Sequence, residues 1–314
     1  MQTPSAHSRG ILALLLGIAV FSVQDLILKQ LSGDYPLHQA MVLRSFVALP
    51  FHLAIVRWFD GRLSTITTPN WWKMLARGLF GFVAYTAYYL GLATLPMPET
   101  VALFFTGPLF ITLAAALFLG ERVSLTSAIA VAAGFCGVLL IVRPGRVGFD
   151  LAALLPVLGA LGYALAMVAA RPLGRTETAA AMAFWGNFCF LICALALSAA
   201  FGTETIADAS HPSLAFLTRG WVMPPAADLA LMAACGVIAA VGLTLLTFAY
   251  RVAPSSAVAP FEYSFMFWAV LWGWLIWGDF PGALGWLGIA IIIGAGLVVI
   301  RGPETEKAAP EGAA

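Results

Sequence analysis

Ten apolar stretches follow one another along this chain with almost nothing between them. A bilayer core of about 30 Å is crossed by about 20 apolar residues in a helix, and the stretches meet that length near 11–31, 38–56, 72–93, 98–118, 124–142, 150–170, 179–200, 228–250, 256–278 and 283–300. In lipid every backbone N–H must find its acceptor within its own segment, so each stretch is expected to be helical. The expected fold class is therefore an all-α polytopic membrane protein of ten transmembrane helices. Composition agrees: 61% of the residues are hydrophobic and 10% charged, against roughly 25% charged in a soluble domain. Most connections are a few residues long, as in Ser32 to Leu37 and Leu95 to Pro98, which leaves no room for a soluble domain. The exception is Phe201 to Ala227, a polar stretch with Glu204, Asp208, His211, Arg219, Pro224 and Pro225, predicted to be a surface loop with a short interfacial helix about Leu214 to Trp221.

The charges are few but placed. Sixteen basic and fifteen acidic residues nearly balance, so no broad field invites a nucleic-acid partner. Basic residues are retained in cytoplasmic loops. With the N-terminus inside, Arg9, Arg57, Arg62, Lys73, Arg77, Arg122, Arg171, Arg175, Arg251, Arg301 and Lys307 face the cytoplasm, and Lys29, Arg143, Arg146 and Arg219 face outward, with Arg44 inside a span. Eleven against four predicts two cytoplasmic termini in a multi-pass bacterial inner-membrane protein. Cys136, Cys189, Cys193 and Cys235 all fall in apolar runs and read as small buried hydrophobes. Four scattered histidines, with no H-E-x-x-H, no D-D-x-x-D and no Walker loop, offer nothing to activate water or hold a nucleotide phosphate. No enzyme, metal or cofactor is expected.

The chain also repeats itself. At an offset of 158, Gly120-Glu121 aligns with Gly278-Asp279, Pro96 with Pro254 and Arg143 with Arg301; at an offset near 141 the first span lies over the sixth and the second over the seventh. The long connection after Phe201 absorbs the difference. Two halves result, residues 1–146 and 147–303, followed by a tail over 304–314 that is charged, small and expected to be disordered in the cytoplasm. Five crossings is an odd number, so the second half inserts upside down. Inverted repeats of this kind characterise secondary transporters, because a pseudo-two-fold axis in the membrane makes outward-open and inward-open forms near mirror images.

Five plus five short spans, the segment Leu92-Ala93-Thr94-Leu95-Pro96, the hairpin end Phe118-Leu119-Gly120-Glu121 and a Gly-rich last span ending in Arg301 resemble the drug/metabolite transporter superfamily, EamA type. The resemblance runs from Gly10 to Arg301 and departs at Gly278-Asp279, where the family usually has Gly-Glu. Pro260-Phe261-Glu262-Tyr263 and Phe21-Ser22-Val23-Gln24-Asp25 are similar to the bacterial branch that includes riboflavin and S-adenosylmethionine transporters. The resemblance implies alternating-access transport of a small organic metabolite, with riboflavin uptake the leading expectation and S-adenosylmethionine, or another amino-acid-derived metabolite taken up or exported, the alternative. A non-transporting membrane assembly factor is the rival class, and whether a homodimer forms stays open.

Charge at membrane depth costs ~2.5–3.5 kcal/mol on insertion scales, which makes each such residue a functional candidate. Asp25 and Arg44 lie at similar depth in adjacent antiparallel spans, so an ion pair is expected, either fixing helix packing or serving the substrate. Lys29 is expected to snorkel outward. Glu262 lies in the inner half of the ninth span on a stripe with Met266, Ala269 and Gly273, and the matching first-half residue is Phe104. A carboxylate absent from the repeat reads as a substrate anchor or a protonatable group; the structural alternative is a bond to a neighbouring helix. Gln24 and Asn187 are mid-span amides that could orient a ligand or tie helices together. Tyr89, Tyr263 and Trp185 are the ring residues expected to stack on a flat substrate, against lipid-facing packing as the alternative. Pro108 and Pro260 are expected inside their helices, where each removes a backbone donor and can free a carbonyl for a kink or a ligand. Glu99, Glu121 and Asp279, at hairpin ends, read as solvated caps or as a fold signature of the resembled family.

Overall fold

The structure is a computed structural model that describes residues 6–31, 34–95, 97–142, 151–203, 211–277 and 282–301. Every regular element among them is helical. In chain order these are α1 (Ala6–Leu31), α2 (Leu37–Phe59), α3 (Trp71–Thr94), α4 (Met97–Phe104), α5 (Gly107–Leu119), α6 (Leu125–Val142), α7 (Leu154–Val168), α8 (Ala170–Leu173), α9 (Ala179–Phe201), α10 (Pro212–Thr218), α11 (Ala226–Val252), α12 (Ser255–Val258), α13 (Phe265–Trp277) and α14 (Ala283–Arg301), with 3₁₀ turns at Leu63–Ile66, Leu151–Ala153 and Ala259–Ser264. Six stretches among the described residues are long and apolar enough to cross a membrane: Ala6–Leu28, Leu37–Phe59, Thr100–Leu119, Leu151–Leu173, Ala179–Phe201 and Ala226–Val252. Leu125–Leu140 and Ala283–Ala295 are shorter apolar helices. Large apolar side chains such as Leu113, Leu117, Phe118, Ile129 and Ile293 face outward, as they do where the solvent is lipid. The protein is an all-helical polytopic membrane protein.

Small residues set how the helices meet. α1 lies against α11, α3 against α7, α2 against α9 and α6 against α14. A side chain added at Gly159 would come within 2.9 Å of the Ala84 carbonyl, and one at Gly162 within 2.9 Å of the Phe80 carbonyl. These two glycines let the α7 backbone approach that of α3, which is how membrane helices gain packing without a hydrophobic drive. Gly10 meets the Ala253 side chain in the same way on the α1–α11 contact.

Two expected spans are not single helices. The stretch 98–118 breaks at Phe105–Thr106 between α4 and α5, and 256–278 runs through α12, the 3₁₀ turn Ala259–Ser264 and α13. Pro108 and Pro260 both stand at the first or second position of the segment they begin, where a missing N–H costs nothing. Glu262 therefore sits on a 3₁₀ turn, and the expected α-helical stripe through Met266 does not continue back to it. The long connection contains the expected short helix as α10, tied down rather than loose: Gln39 Nε2 donates to the Val222 carbonyl at 2.6 Å while the Val222 N–H donates to Gln39 Oε1 at 3.0 Å. Arg77, counted among the loop cations, is 3% exposed and buried in the body of α3. Cys189 and Cys235 are buried, but Cys136 is exposed and Cys193 half-buried, which corrects the reading of all four as core. Glu121 is no solvated cap. Its carboxylate binds Arg171 Nη1 at 2.8 Å, the N–H groups of Ser255 and Ser256, and the Ser256 hydroxyl. Lys29's side chain, Glu99's side chain, Asp279, Arg143, Arg146 and the tail lie outside what is described.

Candidate functional site

A cavity of about 240 Å³ lies in the middle of the bundle, walled by α1, α2, α3, α4, α5, α7, α9, α11, the 3₁₀ turn and the start of α13. One face of α3 runs its length. From Arg77 to Tyr89 is twelve residues, about 18 Å of helix at 1.5 Å per residue, and Arg77, Gly81, Ala84, Tyr85 and Tyr88 all face the space between. Helical periodicity places them on one side because i, i+4, i+7 and i+8 share a face.

At the Tyr89 end, Tyr89 Oη donates to Asp25 Oδ1 at 2.8 Å. Arg44 does not pair with Asp25: among the described residues the ion pair formed is Arg171–Glu121. Instead the Arg44 guanidinium lies 4.7 Å from the Tyr85 ring centroid and 4.5 Å from that of Phe190, and Nη1 makes a long 3.5 Å bond to Gln24 Oε1. Ring faces attract a cation when water is excluded, which explains how a guanidinium 7% exposed holds its place without a carboxylate. Its Nε is buried with no partner. Asn187 Nδ2 donates to the Ser45 carbonyl at 3.0 Å, tying α9 to α2 at the cavity wall.

At the other end, Glu262 Oε1 accepts hydroxyls from Tyr163 of α7 at 2.8 Å and Tyr250 of α11 at 2.6 Å. Two phenol donors on one oxygen compensate a buried carboxylate and leave Oε2 without a bond among the described residues. Arg77 Nε donates to the Ala166 carbonyl at 2.9 Å and Nη2 to Thr247 Oγ1 at 2.8 Å. Ala166 lies in the last turn of α7, where carbonyls lack intrahelical partners and a cation complements the helix dipole.

Of the eight candidates from sequence, Gln24, Asp25, Arg44, Tyr89, Asn187 and Glu262 line the cavity. Tyr263 and Trp185 do not. Tyr263 is fully buried with its ring against Gly134 and Phe105, because the 3₁₀ turn rotates it away from its neighbour Glu262. Trp185 Nε1 donates to the Ile66 carbonyl at 2.8 Å, anchoring the turn Leu63–Ile66 to α9. Arg77, Tyr163 and Tyr250 were not read from the sequence as site residues. The available signal for Arg77 was its position six residues inside an apolar stretch.

The first half of the chain, residues 8–143, matches the model of the EamA-like transporter family. The riboflavin transporter of Rhizobium johnstonii is 31% identical over 98% of this chain and 96% of its own length. The pseudopaline exporter CntI of Pseudomonas aeruginosa is 26% identical over 93% and 96%, and the S-adenosylmethionine uptake transporter of Rickettsia bellii 24% identical over 94% of each. A solved protein structure superposes with a TM-score of 0.72 at 18% identity, covering 93% of this chain and 95% of the other, which shows that the fold extends through both halves. These relatives are transporters rather than enzymes. With a relative 31% identical along almost its whole length and a family model matched by its first half, this chain belongs to the EamA-like transporter family.

Proposed function

We propose that the protein is a secondary transporter that carries a small organic metabolite by alternating access around this cavity, with riboflavin as the substrate and uptake as the direction. One observation carries the reading. Asp25, Arg44, Arg77 and Glu262 line a single cavity, yet none of the four is within ion-pair distance of another. Charges held apart at membrane depth, each on neutral partners, are expensive. They fit a molecule that enters and supplies the missing partners.

The ten-crossing, inverted-repeat architecture, with halves at 1–146 and 147–303, belongs to the same proposal. Exchanging α1, α2, α3 and α6 with α7, α9, α11 and α14 turns the α1–α11 contact into α7–α3, maps α2–α9 and α6–α14 onto themselves, and interchanges α2–α11 with α9–α3. The breaks at Phe105–Thr106 and at Ala259–Ser264 coincide under the 158-residue offset. Discontinuous helices in corresponding positions of two halves mark the binding site of many transporters. The proposed location is a bacterial inner membrane with both termini in the cytoplasm, a basic count now of ten against four with Arg77 removed from the loops.

Uptake of labelled riboflavin by a bacterium unable to make it, with and without this protein, tests the substrate. No gain in uptake or growth sinks it. The alternative, S-adenosylmethionine, is favoured by one feature, the two carboxylates Asp25 and Glu262 set among Tyr85, Tyr88 and Phe104, which suit a cation. The same assay in a strain requiring external S-adenosylmethionine separates the two.

A further inference from the structure

We propose that Gly81 is a specificity-determining residue: it keeps a flat slot open along α3 for a planar, fused-ring body that carries hydrogen-bond acceptors on its edge. The proposal rests on the transport reading above and names the substrate class of that cavity.

The argument begins with what Gly81 is not for. Glycine inside a helix is destabilising relative to alanine, so an interior glycine needs a reason. Gly78, one turn away, has one in packing: an added Cβ would lie 2.6 Å from the Cys189 Cβ. At Gly81 an added Cβ would meet no atom within 4 Å, and its backbone is not in the left-handed region. Neither packing nor conformation asks for glycine. The open space is the cavity itself, which Gly81 lines one helical turn from Arg77 and about two from Tyr89.

Two other walls repeat the pattern. Gly107 of α5 and Gly186 of α9 also line the cavity, and an added Cβ at each would make only ordinary contacts, 3.9 Å and 3.6 Å at the nearest. Three helices thus present bare backbone to one space where alanine would fit. Bare walls approach a flat ring face closely, whereas methyl groups would hold it off. The second observation comes from the end of the slot. Arg44, 7% exposed, lines the cavity with its Nε unpartnered, its guanidinium beside the edge-to-face pair of Tyr85 and Phe190 and its one hydrogen bond long. A guanidinium so placed has donors to spare for carbonyl or ring-nitrogen acceptors on a ring edge.

The test uses the full-length protein in lipid nanodiscs. Thermal stabilisation is measured with riboflavin, with lumichrome as the ring system lacking the polyol, and with ribitol as the polyol lacking the ring. Wild type, Gly81→Ala, Gly81→Leu and a control, Gly294→Ala, are compared; Gly294 likewise has nothing within 4 Å of an added Cβ but does not line the cavity. Expected are unliganded stabilities of the alanine variants equal to or above wild type, lumichrome stabilisation in wild type and Gly294→Ala, and about tenfold weaker binding or more in Gly81→Leu. Lumichrome stabilising Gly81→Leu as well as wild type, or stabilising neither, overturns the slot. Riboflavin uptake failing in cells while lumichrome still discriminates Gly81→Leu from wild type overturns the substrate and upholds the slot.

Discussion

Glu262 receives both tyrosine hydroxyls on one oxygen, so removing its charge should weaken two bonds while leaving its shape intact. Hydrogen bonds to a charged group are worth about 1.5–3 kcal/mol. Glu262→Gln is therefore expected to insert and fold normally and to lower transport roughly 10- to 100-fold at ~1.4 kcal/mol per decade, with smaller losses for Tyr163→Phe and Tyr250→Phe. Initial rates in proteoliposomes decide it, and a Gln variant with unaltered kinetics removes the carboxylate from the site. For Asp25 the partner changes the expectation. A double-mutant cycle should find Asp25 coupled more strongly to Tyr89 than to Arg44; a larger Asp25–Arg44 term would restore the ion pair. The polar residues facing the cavity could be picked out because charge and amides are conspicuous in apolar runs. Which partner each would take could not, since Arg44 had carboxylate, amide and rings all within reach and only three-dimensional placement chose among them. Tyr163 and Tyr250 were hidden by a different ambiguity: a tyrosine in a membrane helix reads equally well as an interfacial anchor.

The contact between α3 and α7 depends on Gly159 and Gly162, and here a larger side chain has nowhere to go. Gly159→Val should destabilise by about 1–3 kcal/mol, the usual range for overpacking, read as a lower melting temperature in detergent; an unchanged melt would mean that the helices do not pack this closely. At the junction of α5, α8 and α12, Glu121→Ala should strand the N–H groups of Ser255 and Ser256 and free Arg171. A loss of about 1–3 kcal/mol is expected from the unmet donors, and Glu121→Gln, which keeps two acceptor lone pairs, should recover part of it. Helices long enough to cross were legible almost to their ends: α2, α9 and α11 begin and end within about three residues of the stretches read from the sequence. Broken spans were not. A six-residue 3₁₀ turn offers too short a window to tell a period of 3.0 from one of 3.6, so Ala259–Ser264 looked like one more turn of α-helix.

At the scale of the whole molecule the orientation can be tested with side chains the structure places at opposite ends. Met223 is 93% exposed beside α10, and Leu63 is 44% exposed in the first 3₁₀ turn. In a background without the four native cysteines, Met223→Cys should be labelled by a membrane-impermeant thiol reagent in intact cells and Leu63→Cys only after lysis. The reverse pattern would place the termini outside. One asymmetry has a consequence for energetics. The segment holding α10 is longer than the connection between α2 and α3, and it ties one end of the bundle: beyond the Gln39–Val222 pair, His38 Nε2 meets the Arg219 carbonyl at 3.1 Å, Trp221 Nε1 donates to Ser198 Oγ at 2.6 Å, and Ser213 Oγ donates to the Leu90 carbonyl at 2.6 Å. The shorter connection is tied at the opposite end of α2, where Asn70 Nδ2 donates to Glu177 Oε1 at 2.9 Å and Thr178 Oγ1 to Asp60 Oδ2 at 2.6 Å. In the proposed inverted-repeat arrangement two equal halves would rest as easily open to one side as to the other, like a balance with equal pans. Under the proposed alternating access each stroke must undo one of these two sets of ties, so the difference in their strength sets which end an idle carrier holds closed.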